Sequence, residues 1–310
     1  MENEVKVFAP ASVANVAVGY DILGFALDGP GDEIVVRFTD EKGFRIRNIT
    51  GDHGKLPYDI HKNTAGFAAY CLLEHLGEAH RGIEMEIHKK MPFGSGLGSS
   101  AASAAAGVWA VNKLLGSPLS KREVLHFAVL GEQKADGAYH ADNVAPALLG
   151  GMVLIRNNKD LDVHQLPVPD GLVASVIYPH IKILTKEARG VLAPNLPLPK
   201  MIQQCGNLAG MIIGLYQSDF DLIGRSLKDV VIEPQRAQLI PHFYEVKKAA
   251  LAAGALGCSI SGAGPSIFAL SQEKDTAERI VQAMAQVFQN HEIKVEPFVS
   301  SVNQSGAVTI

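Results

Sequence analysis

The chain has 310 residues, 47% of them hydrophobic and 19% charged, enough apolar material for one large or two modest packed cores. Lysine and arginine total 28 against 32 aspartates and glutamates, a net charge of −4, and only 6% of residues are aromatic. This balance argues against long nucleic acids and anionic membranes as partners, since both call for a basic surface and the former for stacking aromatics as well.

The N-terminus, Met1-Glu2-Asn3-Glu4, is acidic, unlike the basic start of a secretory signal. Residues 5–9 alternate apolar with polar and predict a strand; 34–38 and 44–49, rich in β-branched side chains, predict two more. Residues 63–76 carry apolar positions at helical spacing and stop at Gly77, a C-cap. Ile83, Met85 and Ile87 alternate with Glu84, Glu86 and His88, which predicts a strand with one wet face. A Gly/Ser loop leads into an alanine-rich helix, 99–115, and a second helix over 120–130 opens on a Ser120/Glu123 capping box. Strands are expected at 150–155 and 161–166. The segment Leu166-Pro167-Val168-Pro169-Asp170-Gly171 then reads as a linker and divides the chain into domains 1–166 and 167–310. Beyond it come a strand (172–178), several helices between 185 and 253, strands near Ser259 and at 266–270, a helix (274–288) and a strand (293–297). Strands and helices segregate, so the expected class is α+β with two domains. No run reaches the roughly 18 apolar residues needed to span a bilayer, and a cytoplasmic protein is expected. Cys71, Cys205 and Cys258 show no metal-site spacing and read as small buried hydrophobes in a reducing compartment.

The loop Pro92-Phe93-Gly94-Ser95-Gly96-Leu97-Gly98-Ser99-Ser100-Ala101-Ala102 carries the clearest chemistry. Its glycines let the backbone approach a ligand, its free N–H groups lie at a helix N-terminus where the dipole favours an anion, and its serines add hydroxyl donors. It lacks the Gly-Lys-Ser/Thr of a Walker A loop and the sixth-position glycine of a dinucleotide fold, yet meets the needs of a polyphosphate cradle. ATP as phosphoryl donor calls for Mg2+, and Ser100 with Glu132 offers a hydroxyl and a carboxylate for it. A solvated carboxylate at a helix end is the plain alternative for Glu132.

The loop resembles the signature of the GHMP kinase superfamily. Two further segments agree in order and place: Ala9-Pro10-Ala11-Ser12-Val13-Ala14-Asn15-Val16-Ala17-Val18-Gly19-Tyr20-Asp21-Ile22-Leu23-Gly24, and Ser259-Ile260-Ser261-Gly262-Ala263-Gly264-Pro265-Ser266. Residues 140–146, 185–189 and 232–236 are similar to the branch whose substrate is homoserine. The resemblance implies an N-terminal domain like ribosomal protein S5 domain 2, a ferredoxin-like C-terminal domain and ATP in the cleft between them. It further implies a cytoplasmic homodimer serving threonine synthesis. Asn63 and Lys89 complete the expected ATP site.

Homoserine is a zwitterion with a terminal hydroxyl. Its selective site needs cations for the carboxylate, an anion for the ammonium and a polar group at the hydroxyl. Arg189 and Arg236 have the fork geometry for a carboxylate, with Arg189 one turn into a helix capped by Thr185. Asp21 suits the ammonium, Asn15 or His140 the hydroxyl end, and Gly262 a close backbone approach. Surface ion pairs, Asx turns and a buried imidazole are the ordinary structural roles for the same residues. Mevalonate kinase-like members have an aspartate in the region of residues 140–146, where this chain has Asn143. An amide is no base near neutral pH, so the expected reaction is direct attack of the hydroxyl with late proton loss, Asn143 and Asn15 aligning the groups. A shikimate, mevalonate or sugar kinase of the same superfamily, and a non-catalytic ligand-binding relative, stand as alternatives.

Overall fold

The computed structural model describes residues 3–310. In the first half the strands are β1 (Glu4–Ala14), β2 (Leu23–Phe38), β3 (Phe44–Thr50), β4 (Ile83–His88), β5 (Met152–Asn157) and β6 (Asp162–Leu166). The helices are α1 (Thr64–His75), α2 (Ser99–Leu114), α3 (Lys121–Asp136) and α4 (Val144–Leu149). The second half contains β7 (Val173–Pro179), α5 (Thr185–Gly190), α6 (Leu198–Gln217), α7 (Phe220–Ser226), α8 (Glu233–Arg236), α9 (Phe243–Ala252), β8 (Gly257–Ile260), β9 (Ile267–Ser271), α10 (Lys274–Asn290), β10 (Val295–Ser301) and β11 (Val308–Thr309).

One sheet runs β11-β1-β2-β4-β3, with β5 and β6 branching from the start of β2; only β3 and β4 pair in parallel. β1 and β2 outrun their predicted spans. Pro10, Gly24 and the Gly29-Pro30-Gly31 run read as breakers in the sequence, but a bulge between Pro10 and Ser12 absorbs the irregularity. Gly24 marks a close approach instead of a break: a Cβ there would lie 1.8 Å from the carbonyl oxygen of Asp142. Helix α2 lies against β1 and β2 and against α1, α3 and α4. Its alanines are wholly buried, and their small size lets the neighbouring elements come close. Helix α4 was not anticipated, being a six-residue apolar run too short to show a helical period.

The second sheet has the order β10-β7-β9-β8, all antiparallel, with α9 and α10 packed against it. Counted along the second half this is 4-1-3-2, the ferredoxin-like arrangement. Phe25 of β2 meets Phe268 of β9 edge to face, ring centroids 6.1 Å apart, and both are fully buried where the two sheets approach. Phe268→Ala is expected to lower stability by about 3–5 kcal/mol, the usual cost of deleting a buried phenyl; the midpoint of a urea titration checks it. Cys205 corrects one expectation: it is exposed on α6, whereas Cys258 is buried and Cys71 half-buried. Among the described residues no helix is long and apolar enough to cross a membrane.

Candidate active site

The loop after β4 enters α2 at Gly98, which occupies the N-cap position with φ +66° and no side-chain cap. The first turn of α2 therefore has N–H groups free for a ligand. Gly94 and Gly96 also have positive φ, +64° and +79°. A Cβ on Gly96 would stand 2.6 Å from the Ser261 carbonyl oxygen and 2.7 Å from that of Gly264; on Gly98 it would stand 2.3 Å from Ser12 Oγ and 2.7 Å from Asn143 Oδ1. The loop is held from the second sheet's side, where Ser261 Oγ donates to the Gly96 carbonyl (2.7 Å) and the Ser266 N–H to that of Ser95 (3.0 Å). Phe93 to Gly96, Gly98, Ser99 and Ser100 line a cavity of about 340 Å³, within the size range of small-molecule sites. Four of the expected ATP contacts do not line it. Leu97, Ala101 and Ala102 are wholly buried in the core and Pro92 sits off the lining, so these residues shape the loop from beneath.

Lys89 borders the cavity but uses its ammonium inside the protein. Its three N–H bonds go to the Asp32 carboxylate, the Ser99 carbonyl (2.8 Å) and Ser103 Oγ (2.7 Å). Burial pushes the Lys89 pKa below its ordinary value, with Asp32 opposing. Asp32 is itself wholly buried and accepts from the Lys90 N–H (2.9 Å) and Ser103 Oγ (3.0 Å). The pair stakes the start of the loop to the start of α2. Asn63 lines the cavity as the N-cap of α1, accepting from the Gly66 N–H at 3.1 Å. Ser100 Oγ donates to Glu132 Oε1 at 2.7 Å, and α3 runs beyond its predicted end, so Glu132 lies within its last turns.

The opposite end of the cavity is built by the loop between β1 and β2. Asn15, Val16, Ala17 and Asp21 all have positive φ there. Asn15 Oδ1 accepts from the Asp21 N–H (3.0 Å) and its Nδ2 donates to the Gly262 carbonyl (2.9 Å), tying this loop to the second half. Arg189 forks onto Asp21 at 3.0 and 3.1 Å, donates to the Tyr20 hydroxyl at 2.9 Å and reaches His140 Nε2 at 2.8 Å. Asp142 Oδ1 lies 2.6 Å from His140 Nδ1, which fixes the ring and turns Nε2 toward Arg189. Arg236 is buried; it donates to the carbonyls of Ala188 and Gly262 (both 2.9 Å) and to the Tyr20 hydroxyl (3.4 Å), and burial depresses its pKa. Both arginines thus converge on one point. Thr185 lines the cavity as the first residue of α5, but the cap is Leu184, whose N–H donates to the Glu187 carboxylate at 3.3 Å.

Asn143 lines the cavity and accepts from Ser12 Oγ at 2.9 Å through its carboxamide oxygen. Ser12, Tyr20, Asp32 and Asp142 are site-building residues that the sequence reading did not single out. Ser12 and Tyr20 stand inside the N-terminal motif, and Asp32 carried a signal of its own as an acid at the head of a β-branched run.

An anion cradle at one end of a cavity and a carboxylate with two guanidiniums at the other are what a kinase of a small zwitterion requires. The model of the GHMP kinases N terminal domain matches residues 63–151 and that of the GHMP kinases C terminal domain residues 211–290. The chain belongs to the GHMP kinase family. It is 49% identical to the homoserine kinase of Chlorobium phaeobacteroides, across 98% of each chain. The crystal structure of homoserine kinase from Cytophaga hutchinsonii superposes with a TM-score of 0.98 at 53% identity, covering 100% of this chain and 98% of that one. The mevalonate kinase of L. major, at 16% identity and a TM-score of 0.73, shares the fold.

Proposed function

We infer that the chain transfers the γ-phosphoryl group of ATP to the side-chain hydroxyl of L-homoserine, giving O-phospho-L-homoserine and ADP, a step of threonine synthesis. The observation that carries the substrate is the meeting of Asp21, Arg189 and Arg236 around Tyr20, across the cavity from the glycine loop. Asp21 supplies an acceptor for the ammonium and the arginines supply donors for the carboxylate, so substrate binding divides the Asp21–Arg189 pair between its own two charges. The N–H groups of residues 94–100 receive the phosphates. Ser100 and Glu132 fit the hydroxyl and carboxylate ligands of Mg2+, which would neutralise phosphate charge there. Asn143, fixed by Ser12, offers N–H donors to the reacting groups and no base. The hydroxyl oxygen therefore attacks the γ-phosphorus directly as the bond to the ADP oxygen breaks, and its proton passes late to a phosphate oxygen, as a loose phosphoryl-transfer transition state permits. His140 and Asn15 border the substrate's path, with Gly262 bringing backbone close.

An ADP-release assay over homoserine, mevalonate, shikimate and galactose tests the reading. Turnover of homoserine at least about a hundredfold above the others is expected, and strong turnover of another alcohol without homoserine overturns it. Omission of Mg2+ is expected to abolish ADP release. We further propose domains 1–166 and 167–310, a cytoplasmic location, and a homodimer. The last is supported by the apolar outer face of α6, where Leu198, Ile202 and Tyr216 are each more than 60% exposed. Ile202→Glu is expected to shift sedimentation toward the monomer; a wild-type protein monomeric at all concentrations removes the dimer.

A further inference from the structure

Two guanidiniums brought together to receive one carboxylate repel each other before the substrate arrives. Each has anchors of its own, Asp21 for Arg189 and the Ala188 and Gly262 carbonyls for Arg236, and they share one more. The Tyr20 hydroxyl accepts from Arg189 at 2.9 Å and from Arg236 at 3.4 Å. Its ring also lies beneath both, 5.7 Å from the Arg189 guanidinium carbon and 5.0 Å from that of Arg236. The two arginines come from separate helices, α5 and α8. Tyr20 belongs to neither helix and sits beside Asp21, whose positive φ sends the two neighbouring side chains to their different tasks. Burial, with Asp21 second, raises the Tyr20 pKa, so the phenol stays neutral and accepts from both cations without itself becoming a competing anion.

We propose that Tyr20 is a positioning residue that sets the spacing of Arg189 and Arg236, and thereby makes the site read an α-amino carboxylate as one unit. Asp21 and Tyr20, consecutive in one constrained turn, fix the ammonium acceptor and the carboxylate donors relative to each other. The inference rests on the homoserine reading above. It concerns selectivity for the carboxylate, not phosphoryl transfer.

The test compares wild type with Tyr20→Phe, which keeps the ring and removes only the hydroxyl, using homoserine and 3-aminopropan-1-ol, which has the same amine and alcohol but no carboxylate. Wild type is expected to prefer homoserine strongly; equal use of both would overturn the reading of the arginine pair itself. In Tyr20→Phe, KM for homoserine is expected to rise about tenfold, the effect of losing one hydrogen bond to a charged group. Its kcat and the KM for ATP should hold, and the preference for homoserine over the amino alcohol should fall by a similar factor. Undiminished preference in Tyr20→Phe, or an equal fall for both substrates, overturns the positioning role while leaving the homoserine reading standing. A double-mutant cycle with Arg236→Lys gives a second measure: additive effects on homoserine KM contradict the proposal, and coupling supports it.

Discussion

Arg189→Met is expected to lower kcat/KM for homoserine by about a thousandfold, because a guanidinium making two charge-assisted bonds to a carboxylate contributes roughly 4 kcal/mol. The loss has two sources. The substrate carboxylate loses its forked donor, and Asp21 loses the cation that faces it across 3.0 Å, so that a bare aspartate repels the incoming carboxylate. Arg189→Lys should recover no more than about tenfold, since an ammonium restores the charge but not the planar fork that reaches Asp21, Tyr20 and His140 together. Steady-state kinetics with homoserine varied at saturating ATP, and then the reverse, check both variants. The effect must fall on the homoserine axis; a change confined to KM for ATP would contradict the assignment.

The second large effect belongs to the other end of the cavity. Gly98→Ala is expected to reduce kcat/KM by about 10²- to 10³-fold, with KM for ATP raised, because alanine at a left-handed position costs roughly 1–2 kcal/mol before any clash is counted. The clash is specific: the new methyl would meet Ser12 Oγ at 2.3 Å and Asn143 Oδ1 at 2.7 Å, the two atoms whose mutual hydrogen bond aims the Asn143 amide. One substitution thus disturbs both the phosphate cradle and the group that aligns the reaction. Gly94→Ala is the comparison: its φ is also positive, but a Cβ there meets nothing nearer than 3.9 Å, so its defect should be several-fold smaller.

How much of this was legible in the sequence follows from what each residue depends on. The conformation of the glycine loop was readable because it is local: glycines, serines and the following helix lie within a dozen residues. The ferredoxin-like second half was readable through resemblance and through short apolar runs such as 172–178 and 266–270, whose strands are buried on both faces. β2 was half missed because Gly24 and Gly31 look like breakers until one sees the chain that passes where their side chains would be. Lys89 is among the residues expected at the ATP site, but its bonds to Asp32 and Ser103 join residues 57 and 14 places apart, and such pairings leave no trace in local pattern. Tyr20 stands within the N-terminal motif with nothing in its neighbours to single it out. Its role exists only where α5, α8 and the β1–β2 loop meet.

The short strand β11 decides how one edge of the first sheet is closed. After β10 completes the second sheet, the chain crosses back: Val302 bridges Leu27, the Asn303 carbonyl receives the Gly151 N–H, the Ala307 N–H reaches Leu148, and Val308 pairs with Phe8 of β1. The first sheet is therefore bordered by a strand that reaches it only after the whole second sheet has been built. A chain cut after β10 would leave that edge of β1 unpaired, its backbone N–H and C=O groups open to a strand from another molecule. Residues 4–14 and 302–309 close on each other like a clasp, so the first sheet depends on a segment of chain that has left for the second sheet and come back.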